Sequence, residues 1–178
     1  MAQLSEKKLL EIAKKIKLLI LDVDGVLTDG SIIIDNKGNE LKSFHVRDGH
    51  GIKMLLKKGI HVAIITGRYS KVVEKRAQEL SIRDVFQKSH DKRGPYRQLV
   101  QKYSLDDSEI AYAGDDIVDM PLFTLCGLPV AVADAHETVK AIAKMITREK
   151  GGRGAVRELC DFILKAKGLW KDIMDEYS

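Results

Sequence analysis

Four short apolar runs, each closed by turn residues and separated from the next by stretches of helical period, constrain this chain more than any other feature. They are residues 17–23 (KLLILDV), 61–66 (HVAIIT), 109–113 (EIAYA) and 128–132 (LPVAV). Near-continuous apolarity over so few residues marks strands buried on both faces. Such strands belong to parallel sheets whose two faces are covered by helices. The alternation therefore predicts an α/β chain, a Rossmann-like three-layer αβα domain with a mostly parallel sheet.

The segments between the runs fit that architecture. Leu9, Ile12, Ala13 and Ile16 lie on one stripe of a short first helix. Further helices are predicted at about 49–58, stopped by Gly59, and at 70–80, 92–103 and 155–165, with an irregular tail at 166–178 carrying Trp170. One excursion breaks the pattern. Residues 31–34 and 40–46 flank Asp35-Asn36-Lys37-Gly38, which is a turn signal and predicts a β-hairpin spanning 31–46.

With 178 residues, the length suits one domain covering 1–178. A net charge of +4 spread along the chain, without a dense basic tract, gives no basis for nucleic-acid binding. No apolar run is long enough to span a bilayer, so no membrane partner is expected. The N-terminal lysines interrupt a periodic pattern and lack the layout of a secretory signal, which makes the cytoplasm the expected location. Cys126 and Cys160 form no metal or redox pair and read as small core hydrophobes.

Chemistry-bearing residues gather at the C-terminal ends of the predicted strands, where open parallel sheets place their ligand sites. The first run ends in Asp22-Val23-Asp24-Gly25, the second in Thr66-Gly67-Arg68, and the third leads into Gly114-Asp115-Asp116 with Asp119 beyond. Singly, each is an ordinary turn sequence. Together they bring several carboxylates to one sheet edge, where mutual repulsion would destabilise the fold unless a cation neutralised it. Mg²⁺ suits such a set, because it takes one or two carboxylates and completes its octahedron with water and phosphate oxygens. By itself Lys92 reads as an exposed lysine at a helix start.

The run Asp22-Val23-Asp24-Gly25-Val26-Leu27-Thr28, followed by Thr66, Lys92 and Gly114-Asp115-Asp116-Ile117-Val118-Asp119, resembles the four motifs of the haloacid dehalogenase superfamily in order and position. The resemblance implies that Asp22 is a nucleophile forming an aspartyl phosphate and Asp24 the general acid and then base. It implies that Thr66 and Lys92 hold phosphoryl oxygens. Mg²⁺ would bind Asp22, the backbone carbonyl of Asp24, and Asp115, with Asp116 and Asp119 behind them. Larger members carry an inserted cap domain. Only the hairpin and one helix fit between Asp24 and Thr66, so here a β-hairpin stands in place of a cap.

The segments 22–30 (DVDGVLTDG), 44–49 (FHVRDG), Asp91-Lys92 and 151–158 (GGRGAVRE) narrow the resemblance to the sugar-acid phosphatases of that superfamily. The implied substrate is KDO 8-phosphate, a sugar acid phosphate of lipopolysaccharide precursor synthesis. Asp24, His45, Val46, Arg47, Asp48, Gly49, Lys53, Arg68, Arg76 and Lys92 are the implied substrate contacts. The branch also implies a homotetramer, with hairpins forming a central barrel and the C-terminal tail reaching toward a neighbour's site. Guanidinium groups suit the carboxylate of such a substrate. Two rival readings are a phosphatase of the sialic acid 9-phosphate type and a non-catalytic tetrameric binding module. The presence of both Asp22 and Asp24 argues against the latter.

Overall fold

The computed structural model describes residues 4–176. The first helix, α1 (Glu6–Lys15), leads into β1 (Leu18–Leu21), and the hairpin strands β2 (Ile33–Ile34) and β3 (Glu40–Leu41) follow. Then come α2 (Val46–Lys57), β4 (His61–Ile65), α3 (Lys71–Leu80), β5 (Asp84–Phe86), α4 (Arg93–Tyr103), β6 (Ile110–Gly114) and α5 (Met120–Phe123). The chain continues through β7 (Leu128–Ala131), α6 (Glu137–Ile142), β8 (Met145–Ile146), α7 (Ala155–Ala166) and α8 (Trp170–Asp175).

Six strands form one parallel sheet in the order β5-β4-β1-β6-β7-β8. The central strands owe their place to composition. Leu18, Leu19, Ile20 and Leu21 in β1, and Ile110 to Gly114 in β6, are buried throughout, so both faces must be covered. Helices α1, α2 and α7 pack together, with α3 beside α2, while α4, α5 and α6 form a second group. Each group covers one face, which gives the αβα layering. The most extensive helix pairing is α2 with α7, where Gly51 faces Cys160 and Arg157 so closely that a Cβ there would crowd both. Val156, Leu159, Cys160 and Ile163 supply the buried stripe of α7. Each aliphatic side chain so buried contributes about 1.5–3 kcal/mol of hydrophobic stabilisation.

The expected elements are present, with several boundary differences. The hairpin ladder contains only Ile33 with Leu41 and Ile34 with Glu40. Its turn is set by Asp35, whose Oδ1 accepts from the amides of Lys37 and Asn39 at 2.8 Å each, with Gly38 at φ 80°. Residues 44–46 do not extend the hairpin, because α2 begins at Val46, three residues before the expected Gly49. The segment after 166, expected to be irregular, contains α8. Its Ile173 is buried, and Glu176 pairs with Lys57 at 2.6 Å and Lys58 at 3.2 Å. A hydrophobic anchor every turn was too brief there to stand out as a period. Strands β5 and β8 and helix α6 escaped the sequence reading. Cys126 and Cys160 are free and buried, as expected. No helix among the described residues is long and apolar enough to cross a membrane.

Candidate active site

Parallel register fixes the first geometry of the site. Leu21 of β1 pairs with Ala113 of β6 and Ile64 of β4, so residues 22, 66 and 115 emerge side by side at the same sheet edge. A cleft there is lined by Asp22, Asp24, Gly30, Thr66, Gly67, Arg68, Lys92, Asp115, Asp116 and Val118, with a volume near 270 Å³. The expected nucleophile, acid, phosphate-holding residues and metal carboxylates therefore share one concavity.

Asp22 ends β1 almost fully buried. Its Oδ1 accepts from the amide of Val23 at 2.7 Å, and its Oδ2 lies 3.0 Å from Lys92 Nζ. Burial pushes its carboxyl up to about 6; Lys92 pulls it back while Asp119 adds to the rise. Lys92 is 3% exposed, contrary to what an isolated lysine suggests. Its ammonium donates to Asp119 Oδ1 at 2.6 Å and to the Tyr112 hydroxyl at 3.0 Å. Burial favours its neutral form, but the charges of Asp22 and Asp119 outweigh that and raise its pKa. It is therefore a fixed cation.

Asp119 organises this corner. One carboxylate oxygen accepts from Lys92 and, at 2.5 Å, from the Tyr112 hydroxyl; the other accepts from the amides of Asp115 at 2.8 Å and Asp116 at 3.2 Å. The loop after β6 is thereby folded back, and Asp115 is held over Gly25. A Cβ at Gly25 would collide with the Asp115 carboxylate, so glycine, here at φ 85°, is required. Burial and the neighbouring Asp119, Asp22 and Asp116 push Asp115 up to about 8.

Oxygens of Asp22, Asp115 and Asp119 lie within 4.8 Å of one another, close enough to hold one metal ion. Asp119 is already satisfied by four donors, so Asp22 and Asp115 are the carboxylates with capacity for a cation. Burial first, and then the neighbouring carboxylates, raise their pKa values, and a divalent ion would offset both. The donor set is all oxygen, which fits Mg²⁺. Asp24 stands apart from this triplet, its carboxylate engaged by Lys42.

The comparisons with known proteins agree with this geometry. Residues 71–159, half of the chain, match the model of the haloacid dehalogenase-like hydrolase family. The 3-deoxy-D-manno-octulosonate 8-phosphate phosphatase of Yersinia pestis is 50% identical over 155 residues, covering 87% of this chain and 83% of that one. The chain belongs to this phosphatase family of haloacid dehalogenase-like hydrolases.

Solved members of the phosphatase family superpose closely. The Moraxella catarrhalis enzyme, crystallised with magnesium ion, phosphate ion and a KDO molecule, has a TM-score of 0.95 at 39% identity, covering 98% of this chain and 100% of that one. A cobalt-bound form from Haemophilus influenzae has a TM-score of 0.85 at 43% identity, covering 88% of this chain and 92% of that one.

Most of the remaining residues expected at the substrate lie outside that cleft. Arg68 reaches the cleft, but its guanidinium donates to Glu40 of the hairpin at 2.7 Å. Val46 and Arg76 line a second cavity with Phe44, where Arg76 sits 5.6 Å from the Phe44 ring and pairs with Glu79 at 2.8 Å. Gly49 leaves room for that guanidinium, since a Cβ there would strike it. His45 and Arg47 open onto a third, larger cavity against α7. Asp48 is buried and caps α7, accepting from the Arg157 amide at 2.7 Å, with its other oxygen unpartnered 3.9 Å from His45 Nδ1. Lys53 is exposed on α2.

Two residues of the site were missed by sequence reasoning. Tyr112 carried a signal, since a tyrosine inside a buried strand needs a partner for its hydroxyl. Lys42 carried none, because nothing in sequence separates it from surface lysines.

Proposed function

We propose that this chain is a Mg²⁺-dependent phosphatase that hydrolyses KDO 8-phosphate to KDO and phosphate. The observation that carries the reading is Asp22, a carboxylate at the end of a buried strand, held 3.0 Å from the buried Lys92 ammonium and beside Asp115. Magnesium, bound by Asp22, Asp115 and the Asp24 carbonyl, would neutralise phosphate charge and let a carboxylate approach it.

The residues then act in turn. Lys92 and Thr66 hold the phosphoryl oxygens, Lys92 doing so with its orientation fixed by Asp119 and Tyr112. Asp22 attacks phosphorus, the bond to the sugar oxygen breaks, and Asp24 gives its proton to that oxygen. Water then attacks the aspartyl phosphate while Asp24 takes the water's proton. The Asp22–phosphorus bond breaks, releasing phosphate and regenerating the Asp22 carboxylate beside a protonated Asp24. Arg68, now engaged by Glu40, would exchange that partner for the substrate's carboxylate.

The hairpin and the scattered substrate residues support a homotetramer. Ile32 and Ile34 are each 61% exposed, an apolar surface that association would cover. Val46 and Arg76, and likewise His45 and Arg47, open into cavities separate from the carboxylate cleft, so a docked copy would offer them to its neighbour's substrate. Closure of a neighbour by the tail would first require release of α8 from its own chain. A cytoplasmic location suits an enzyme acting on a soluble sugar phosphate.

Phosphate release over a panel of sugar phosphates tests the reading. KDO 8-phosphate is expected to be the best substrate, dependent on Mg²⁺. A higher kcat/KM for sialic acid 9-phosphate would replace the assigned specificity.

A further inference from the structure

Lys42 is a charged group held out of water that this chemistry leaves without a role. It follows β3 directly, its side chain is only 2% exposed, and its ammonium contacts Asp24 Oδ1. On the other side Glu40 Oε1 lies 3.4 Å away, and Glu40 in turn receives Arg68. An ammonium held out of water needs carboxylate partners, and these two supply them. Among the described residues, Lys42 provides the hydrogen bond that the structure records for the Asp24 carboxylate.

We propose that Lys42 is a positioning residue that aims Asp24 at the departing oxygen of the substrate, an inference that rests on Asp24 acting as the general acid. In the first half-reaction the Asp22–phosphorus bond forms, the phosphorus–sugar oxygen bond breaks, and the proton moves from Asp24 to that oxygen. Lys42 occupies Oδ1 and so leaves Oδ2 to carry the proton. It touches neither Asp22 nor Asp115. Its effect is therefore confined to proton delivery, and a small error of aim is enough to weaken that step. The hairpin thus enters the chemistry of its own chain, through the residue next to its second strand.

Leaving-group dependence separates this role from a structural one. A sugar alkoxide needs a proton to depart, whereas p-nitrophenolate does not. Lys42→Met, Lys42→Arg and Asp24→Asn are assayed as Mg²⁺-loaded enzyme, following release of KDO or p-nitrophenolate in a single turnover. General acid catalysis contributes about 10²–10⁴-fold. Lys42→Met is expected to slow KDO release about a hundredfold while slowing p-nitrophenolate release less than about threefold, and Lys42→Arg to restore most of the loss. Should Lys42→Met fail to fold, Lys42→Gln is read for the same split. Equal losses on both substrates, or no loss, would overturn the role of Lys42 if Asp24→Asn shows the split. If Asp24→Asn itself slows both substrates equally, the general-acid reading falls first.

Discussion

The strand-end site and the hairpin sit in contact, yet they are built in opposite ways. At the strand ends the corner around Lys92 is answered within the chain, Lys92 by Asp22 and Asp119, and Asp119 by two amides and a tyrosine hydroxyl, while Asp22 and Asp115 keep capacity for a cation. Rotamers there are fixed before substrate arrives, as electrostatic catalysis requires. In the hairpin the polar residues at the base are paired, but Ile32, Ile33, Ile34 and Leu41 face outward, and the ladder has two residues per strand. A two-stranded ribbon of that size is marginal alone. Under the proposed homotetramer, the contrast separates a catalytic apparatus built within one chain from a substrate-enclosing surface that association would finish.

The largest expected effect tests the self-sufficiency of the strand ends. Asp22→Asn should lower turnover more than about a hundredfold, since loss of a nucleophile costs orders of magnitude. It should leave the melting temperature unchanged or higher, because a buried charge is removed. Phosphate release and calorimetry on the same preparation check both halves, and substantial residual turnover would end the aspartyl-phosphate mechanism.

Metal removal comes next. Chelation should abolish activity and expose the carboxylate repulsion as a pH effect on stability. Asp22 rises from 3.8 to about 6 and Asp115 from 3.8 to about 8 in the folded, metal-free chain. The folded state then holds more protons than the unfolded state between these limits, so stability falls as pH rises from about 4 to about 8. Melting curves across that range should show the decline without Mg²⁺ and a flatter profile with it. A flat metal-free profile would mean that the carboxylates are less crowded than they stand here.

Breaking the hairpin's apolar face should act on assembly and spare the chemistry. Ile32→Ser with Ile34→Ser is expected to reduce the mass seen by light scattering to that of smaller species, with the circular dichroism of the fold retained. Turnover of KDO 8-phosphate should fall about tenfold and that of p-nitrophenyl phosphate little, as expected if remote contacts serve specificity. An unchanged mass would make the hairpin a feature of the single chain. The smallest effect is expected at the C-terminus. Ile173→Ala should cost about 2 kcal/mol of stability, at the low end for a buried aliphatic because α8 is short and terminal. A denaturation curve with an unchanged midpoint would show that α8 is not anchored by this residue.

The same contrast explains what the sequence made legible. Asp22, Asp24, Thr66, Asp115 and Asp119 were readable because fully apolar buried strands announce themselves even when short, and a parallel sheet gathers whatever follows them. Lys92 was readable through its resemblance to a family motif. Its burial was not, since that depends on Tyr112 and Asp119 converging from other segments. Lys42 was hidden for the same reason. Strands β5 and β8 were missed because they are short and take their conformation from the sheet they join, and α6 because it is short and capped by His136, whose ring nitrogen accepts from the Thr138 amide at 3.2 Å. The placement of Arg76 and Arg47 in cavities away from the cleft was likewise beyond a reading by residue order alone.

The parallel pairing of β1 with both β4 and β6 has a consequence for how the molecule comes into being. Asp22 and Asp115 are separated by about half the chain, yet the amide of Asp22 bonds the carbonyl of Ala113 at 3.1 Å. Contacts between such distant segments form late, after loop-closure entropy has been overcome. A growing chain on the ribosome therefore has no complete version of the site: until β6 has emerged and slotted in beside β1, Asp22 lacks Asp115, and Lys92 lacks the Tyr112 and Asp119 that hold its ammonium. Metal affinity in a refolding experiment should then rise together with the last sheet contacts, which makes it a reporter of completed folding instead of a nucleus for it.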